Sequence, residues 1–184
     1  MNTIIGISGS LRKGSFNSAL LRAAVELAPT GSTIEIGSIH GIPLYDGDVE
    51  EANGVPVEVT ELQDRIAAAD GLLVTTPEYN NSMPGVLKNA IDWLTRPPNE
   101  IPRVFHGKPV AIIGATPGGF GTVLGQNAWL PVMRTLSTKL FTGSRLMVSG
   151  ANKLFNDKGQ LIDDAVRERL TTYINDFVAF IDAQ

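Results

Sequence analysis

The 184-residue sequence has no cysteine, two histidines and no apolar run near the roughly 20 residues of a membrane-spanning helix. Without cysteine the chain cannot form disulfides, thiolate metal sites or a cysteine nucleophile, which excludes thioredoxin-like and cysteine-phosphatase chemistry. Its first ten residues lack the basic segment and longer apolar stretch of a signal peptide, so we expect a cytoplasmic protein without membrane insertion.

An excess of basic residues is also missing, because the formal net charge is −4. Such a chain offers no positive field for holding nucleic acid or an anionic membrane surface, and neither partner is expected. Apolar residues make up 43% of the chain and charged residues 18%, as in ordinary globular proteins. The length suits one domain, so we expect residues 1–184 to form a single domain.

Short β-branched apolar runs alternate with longer stretches of helical period. Strands are predicted at 3–8, 33–36, 71–76, 108–115 and 140–148, and helices at 20–28, 57–69, 84–94, 122–137 and 163–181. The stretch 37–55 has no steady period and is expected to be a long loop. Strands joined by crossover helices form a parallel sheet covered on both faces. The sequence therefore predicts a flavodoxin-like three-layer α/β sandwich with five parallel strands in the order 2-1-3-4-5.

In such a sheet the ligand lies at the carboxyl ends of strands one and three, where the strand order reverses. The loop after strand one, Ser8 to Ser18, places glycines, hydroxyls, an amide, Arg12 and Lys13 directly before a helix. Loop amides and the helix N-terminus can hold a phosphate, with a charge-assisted bond from Arg12. The alternative is that Ser15 or Asn17 simply caps the helix and Arg12 is solvated.

Several nucleotide motifs are incomplete in this loop. Gly9 to Gly14 follows the spacing of a P-loop, but Ser15 stands where that motif has its lysine, and no aspartate follows strand three. A magnesium-dependent phosphotransferase is therefore disfavoured. The loop also departs from G-x-G-x-x-G, which disfavours a Rossmann dinucleotide site. A mononucleotide monophosphate fits better.

Two further loops at the same edge suit a flat ring. The segment from Pro77 to Gly85 (PEYNNSMPG) offers an aromatic residue beside two amides, and the segment from Ala115 to Thr122 (ATPGGFGT) offers glycines that permit close approach. A flavin needs amides at its pyrimidine edge and apolar cover on its faces. The alternative for the first segment is a turn in which Ser82 caps the next helix.

These motifs resemble the NADPH-dependent FMN reductase family of flavodoxin-like proteins, which includes soluble quinone, chromate and azo-compound reductases. The resemblance rests on Gly6 to Arg12 with Ser15 and Asn17, on Pro77 to Asn80, on Leu87 to Trp93 and on the Gly118-Gly119 turn. It implies bound FMN and either NADPH or NADH as electron donor. The implied cofactor-binding residues are Ser10, Arg12, Ser15, Asn17 and Ser18 near the phosphate, Pro77, Glu78, Tyr79 and Asn80 at the ring, and Thr116, Gly118 and Gly119 at its other edge. Thr116 departs from the serine that many members carry.

The expected activity is electron transfer from a nicotinamide nucleotide through FMN to a small acceptor: a quinone, chromate, an azo compound or free flavin. FMN performs the redox chemistry, so no catalytic acid or base is required. The rival is a flavodoxin-type single-electron carrier, which Arg12 and Lys13 disfavour. The resemblance also implies a homodimer or homotetramer.

Other polar clusters are assigned structural roles. Lys88 and Asp92 have the spacing of a surface ion pair on a helix, with Trp93 packed in the core. The acidic stretch from Asp46 to Glu51 does not match a calcium loop, and the two histidines have no metal-ligand spacing. No metal is expected.

Overall fold

The computed structural model describes residues 1–184. Its parallel sheet has the order β2-β1-β3-β4-β5, and β6 extends the pairing of β4. The strands are β1 (Asn2–Ser8), β2 (Ser32–Gly37), β3 (Gly71–Thr75), β4 (Pro109–Ala115), β5 (Lys139–Leu140) and β6 (Met147–Val148). The predicted flavodoxin-like α/β fold and strand order are confirmed.

Helices cover both faces of the sheet. They are α1 (Phe16–Glu26), α2 (Gly47–Asn53), α3 (Val57–Ala68), α4 (Gly85–Leu94), α5 (Ile101–Phe105), α6 (Val123–Thr135) and α7 (Asp164–Asp182), with short 3-10 turns at Pro98–Glu100 and Ala151–Lys153. No helix combines the length and the apolar composition that a membrane span requires.

The two faces of the sheet carry separate apolar cores. Helices α1 and α7 cover one face, where Leu20 and Phe177 pack with Leu73. Helices α3, α4, α5 and α6 cover the other face, where Trp93 and Trp129 belong to the same core as Leu72. Strands β3 and β4 are buried along their whole length, which explains their continuous apolar runs. This burial fixes the carboxyl ends of the central strands.

The prediction of one continuous strand over residues 140–148 was wrong, because two short strands lie there. The chain pairs with the start of β4 through β5, leaves the sheet, and returns as β6 to pair with Gly114 and Ala115. It leaves where the Phe141 ring packs against Tyr173, with 5.3 Å between ring centroids, and against Phe177 at 5.7 Å. The Phe141 N–H still donates to the Val110 carbonyl at 2.7 Å, so the chain leaves the sheet directly after this residue, whose ring is held against α7.

Two short helices lie where none was predicted. Helix α2 falls within the expected loop 37–55, and none of its residues is buried, so it carries no apolar period. It begins because the Asp46 side chain accepts the backbone N–H of Asp48. Helix α5 has only five residues, too few to display a period, and buries Val104 and Phe105.

Candidate functional site

Three loops meet at the carboxyl edge of the sheet, after Ser8, Thr75 and Ala115. The backbone N–H of Gly9 donates to the Thr75 carbonyl at 2.8 Å, which joins the first loop to the second. A side chain at Gly9 would collide with Leu87, since a Cβ there would lie 2.7 Å from Leu87 Cδ2. The glycine therefore lets the first loop lie directly against α4.

The loop before α1 has several donors without a partner. The N–H groups of Ser10, Leu11, Lys13 and Gly14 find no acceptor within the chain. Arg12 is exposed and pairs with no carboxylate, and its guanidinium lies 5.6 Å from the centroid of a neighbouring aromatic ring. Free amides and a free cation beside a helix N-terminus are the groups that bind a phosphate.

Ser15 and Ser18 are partly occupied by local structure. The Ser15 hydroxyl accepts the N–H groups of Asn17 and Ser18, each at 3.2 Å, so it caps α1 as the alternative interpretation stated. The Ser18 hydroxyl lies 2.9 Å from the Ser8 hydroxyl. The buried Ser10 hydroxyl accepts the N–H of Arg12 at 3.4 Å and keeps its own proton available for donation.

The Asn17 side chain ties α1 to the end of β4. Its amide nitrogen donates to the Ala115 carbonyl at 2.9 Å, and its amide oxygen accepts the Ala115 N–H at 2.9 Å. The Asn17 carbonyl accepts the Thr75 hydroxyl at 3.0 Å. This buried amide therefore fixes the first and third loops relative to one another.

The second loop folds into a tight hairpin. Tyr79 and Ser82 exchange two backbone hydrogen bonds of 3.0 Å, and the φ angles of Asn80 and Asn81 are +49° and +61°. Two positive φ angles are the pattern of a type I′ turn, which asparagine tolerates. The N–H groups of Glu78, Asn80 and Asn81 have no acceptor in the chain. The Tyr79 ring is 47% exposed beside them.

The Ser82 cap of the alternative interpretation is absent, because α4 begins after Pro84 without a side-chain cap. Pro77 is buried and packs against the first loop, where its Cδ would lie 3.1 Å from a Cβ at Gly9. The Pro77 ring therefore packs against the first loop and is not exposed to solvent.

The Glu78 carboxylate caps helix α6. One oxygen accepts the N–H groups of Leu124 and Gly125 at 2.8 and 2.9 Å. Thr122, at the N-cap position of α6, has a φ of +67° and makes no side-chain cap bond. Because Glu78 and α6 are far apart in sequence, no local motif signals this contact. It joins the second loop to the third.

The third loop exposes amides and an aromatic ring. The Thr116 hydroxyl accepts the N–H of Gly118 at 3.3 Å, and the Gly118 carbonyl accepts the N–H of Gly150 at 3.2 Å. The N–H groups of Gly119 and Phe120 have no acceptor, and the Phe120 side chain is 78% exposed. Thr116, Gly118 and Gly119 thus lie on a loop with free donors.

This donor set fits FMN. A phosphate dianion requires a cation and N–H groups, which the Arg12 loop offers. The polar edge of a flavin requires hydrogen-bond donors, and its ring requires apolar contacts. Free N–H groups at Asn80 and Gly119, with the exposed rings of Tyr79 and Phe120, meet those needs at the same sheet edge.

A family model for NADPH-dependent FMN reductases matches residues 2–153. The chain belongs to this family. It is 48% identical over 165 residues to an NAD(P)H-dependent FMN reductase of Pseudomonas aeruginosa, covering 90% of this chain and 87% of that protein. It is also 37% identical over 180 residues to a quinone reductase of Escherichia coli K12, covering 97% and 94% of the two chains.

Among solved structures, the flavoenzyme NAD(P)H:(acceptor) oxidoreductase FerB of Paracoccus denitrificans superposes with a TM-score of 0.88. It is 32% identical to this chain, and the match covers 100% of this chain and 98% of that one. Family membership confirms the predicted class, an FMN-dependent NAD(P)H oxidoreductase. The electron-carrier alternative is therefore not favoured.

A second polar network holds the segment before α2 against α4, and sequence reasoning did not identify it. The Tyr45 N–H donates to Asn89 Oδ1 at 2.8 Å, and the Tyr45 hydroxyl donates to Glu50 at 3.0 Å. Arg96 Nε donates to Glu50 at 2.8 Å. Hydrogen bonding by Arg96 lowers the pKa of Glu50 despite partial desolvation, and the bond to Glu50 raises the pKa of Tyr45. The Lys88–Asp92 surface pair also forms, at 2.6 Å.

Proposed function

We propose that this protein takes electrons from NADPH or NADH through bound FMN and passes them to a quinone or a similar small acceptor. The observation that carries the proposal is the convergence of an unpaired Arg12 and free loop N–H groups at the edge where β1, β3 and β4 end. The relatives named as a quinone reductase and as a 2-hydroxy-1,4-benzoquinone reductase support the acceptor class.

The proposed roles follow from which groups remain free. Arg12, the Ser10 hydroxyl and the N–H groups of residues 10–14 bind the phosphate. Ser15, Asn17 and Ser18 support that loop, with Ser15 fixing the start of α1. FMN, once bound, supplies the hydride and electron chemistry.

The ring lies in this proposal between the second and third loops. The N–H groups from Glu78 to Asn80 orient its polar edge, with Pro77 beneath them. Thr116, Gly118 and Gly119 flank the opposite edge, and Tyr79 borders the face on which donor and acceptor bind in turn. These residues position reactants and exclude water.

We also propose a single-domain, cytoplasmic protein that assembles as a homodimer or homotetramer. A groove of about 410 Å³ between α4 and α6 supports self-association, since Ile91, Ile101, Val132 and Leu136 line it beside the Lys88–Asp92 pair. The exposed Tyr79 and Phe120 rings offer further apolar area near the site. Light scattering on the purified protein measures the assembly directly.

The test of the site compares Arg12→Ala with Arg169→Ala, because both arginines are exposed and pair with no carboxylate. Titration with FMN is expected to give a Kd about tenfold or more higher for Arg12→Ala, since a charge-assisted bond contributes roughly 1.5–3 kcal/mol. Arg169→Ala should bind FMN like the wild type. Equal affinity in both variants would remove Arg12 from the phosphate site.

The test of the activity is anaerobic mixing of the FMN-loaded protein with NADPH or NADH. We expect the flavin absorbance bands to bleach and to return when a quinone is added. A protein that retains FMN but is not reduced by either nucleotide would instead be an electron carrier, and the proposed enzymatic activity would be wrong.

A further inference from the structure

A second cationic site lies next to the start of α1. A cavity of about 310 Å³ is bounded on one side by residues 13–16, Ala19 and Arg22, and on the other by Asn152 and residues 155–159. We call it the Lys158 cavity. The two sides are distant in sequence, and only the packing of the 152–159 segment against α1 brings them together.

The Lys158 cavity gathers positive charge that the chain does not neutralise. Lys13, Arg22 and Lys158 line it, and none of them lies within 4.0 Å of a carboxylate oxygen. Asp157 is the one acidic residue in the lining. Three cations around a concave surface create a local positive potential, even though the whole chain is acidic.

The segment that carries Lys158 is an ordered turn. The N–H of Gly159 donates to the Asn156 carbonyl at 2.8 Å, and Asn156 Oδ1 accepts the N–H groups of Lys158 and Gln160 at 3.0 and 2.9 Å. Gly159 has a φ of +72°, and a Cβ there would lie 2.6 Å from a guanidinium nitrogen of Arg22. Glycine at this position therefore lets Arg22 lie against the turn.

The Lys158 cavity differs from the proposed FMN phosphate site. Ser10, Arg12 and Ser18 do not line it, whereas Lys13, Gly14 and Ser15 do. It therefore begins at the outer side of the phosphate loop and runs along α1 to Arg22. Arg22 and Lys158, which line the far part of the cavity, do not belong to the proposed FMN residues.

We propose that the Lys158 cavity binds the 2′-phosphate of NADPH and that Lys13, Arg22 and Lys158 give the enzyme a preference for NADPH over NADH. This inference rests on the proposed function, which requires a nicotinamide donor. The two donors differ in one phosphate monoester, the group that a cluster of unpaired arginine and lysine side chains recognises.

The kinetic test uses Arg22→Ala, Lys158→Ala and the double variant, with Lys153→Ala as a matched control. Lys153 is an exposed lysine on the same segment that does not line the cavity. We expect the KM for NADPH to rise about fivefold for each charge removed, as for an exposed ion contact. The KM for NADH, and both KM values of Lys153→Ala, should stay within about twofold of the wild type.

A binding measurement tests the same cavity without turnover. Calorimetry of the FMN-loaded wild type should detect 2′-AMP more tightly than 5′-AMP, and the double variant should lose that difference. FMN affinity should be unchanged in all variants, because Arg22, Lys153 and Lys158 lie outside the proposed FMN set.

Three results would overturn the inference: KM values for NADPH and NADH that rise together, KM values for both that stay unchanged, or a weaker FMN affinity in the double variant. The last result would mean that the cavity holds the phosphate of FMN. A wild type that oxidises neither nucleotide would refute the proposed function, and 2′-AMP binding would still decide whether the cavity recognises a phosphate monoester.

Discussion

Replacing Glu78 by alanine removes the carboxylate that accepts the N–H groups of Leu124 and Gly125 at the start of α6. Loss of an N-cap side chain costs about 0.5–2 kcal/mol, and the negative charge adds to this through the helix dipole. Because Glu78 is half-buried, we expect Glu78→Ala to lower the free energy of unfolding by about 1–2 kcal/mol. For a domain of this size that lowers Tm by about 2–8 °C.

The same change is expected to weaken FMN binding, because Glu78 holds the second loop in place while its neighbours' N–H groups remain free for the ring. If this whole cost of about 1–2 kcal/mol falls on the loop arrangement that binds FMN, the Kd for FMN rises about fivefold to thirtyfold. Fluorescence titration of FMN measures this. Glu78→Gln keeps one acceptor oxygen without the charge and should fall between alanine and the wild type.

Asp163→Ala is the matched control for Glu78→Ala. The Asp163 side chain caps α7 by accepting the N–H of Val166 at 2.8 Å, a bond that involves none of the three loops. This variant should lose comparable stability and keep its FMN affinity. If both variants change FMN affinity equally, or if Glu78→Ala loses stability without any change in FMN affinity, the positioning role of Glu78 is wrong.

Three further substitutions test the framework of the site. Asn17→Ala leaves a buried N–H and carbonyl at the end of β4 unpaired, and urea unfolding should show a loss of about 2–4 kcal/mol. Gly114→Ala drives a Cβ into the Thr76 carbonyl oxygen and the Thr122 hydroxyl, so it should destabilise the protein by about 1–3 kcal/mol; a gain in Tm would contradict that geometry. The pKa of Glu50 is lowered chiefly by hydrogen bonding from Arg96, so its contribution is present above about pH 4.3 and is lost as pH falls through the lowered value. Glu50→Gln should therefore reduce stability at pH 7 and progressively less in acid, and an equal deficit at pH 7 and pH 3 would refute this.

Much of the fold was predictable because its signals are local. The buried runs of β1, β3 and β4 and the periodic stretches of α1, α3 and α4 each identify one element from neighbouring residues. The alternation of strands and helices then restricts the topology. Elements whose stability comes from distant packing were missed or misjudged, as with α5 and the interrupted strand at Phe141.

The sequence by itself determined the class of fold, and it placed the three loops of the proposed site at one edge of the sheet, because these follow from short-range periodicity and turn chemistry. Only the tertiary structure decided what individual side chains do there. Asn17 bonds to Ala115, Glu78 caps α6 and Lys158 lies near Lys13, and each pair is distant in sequence. Such contacts depend on how whole elements pack against one another, so no local pattern encodes them.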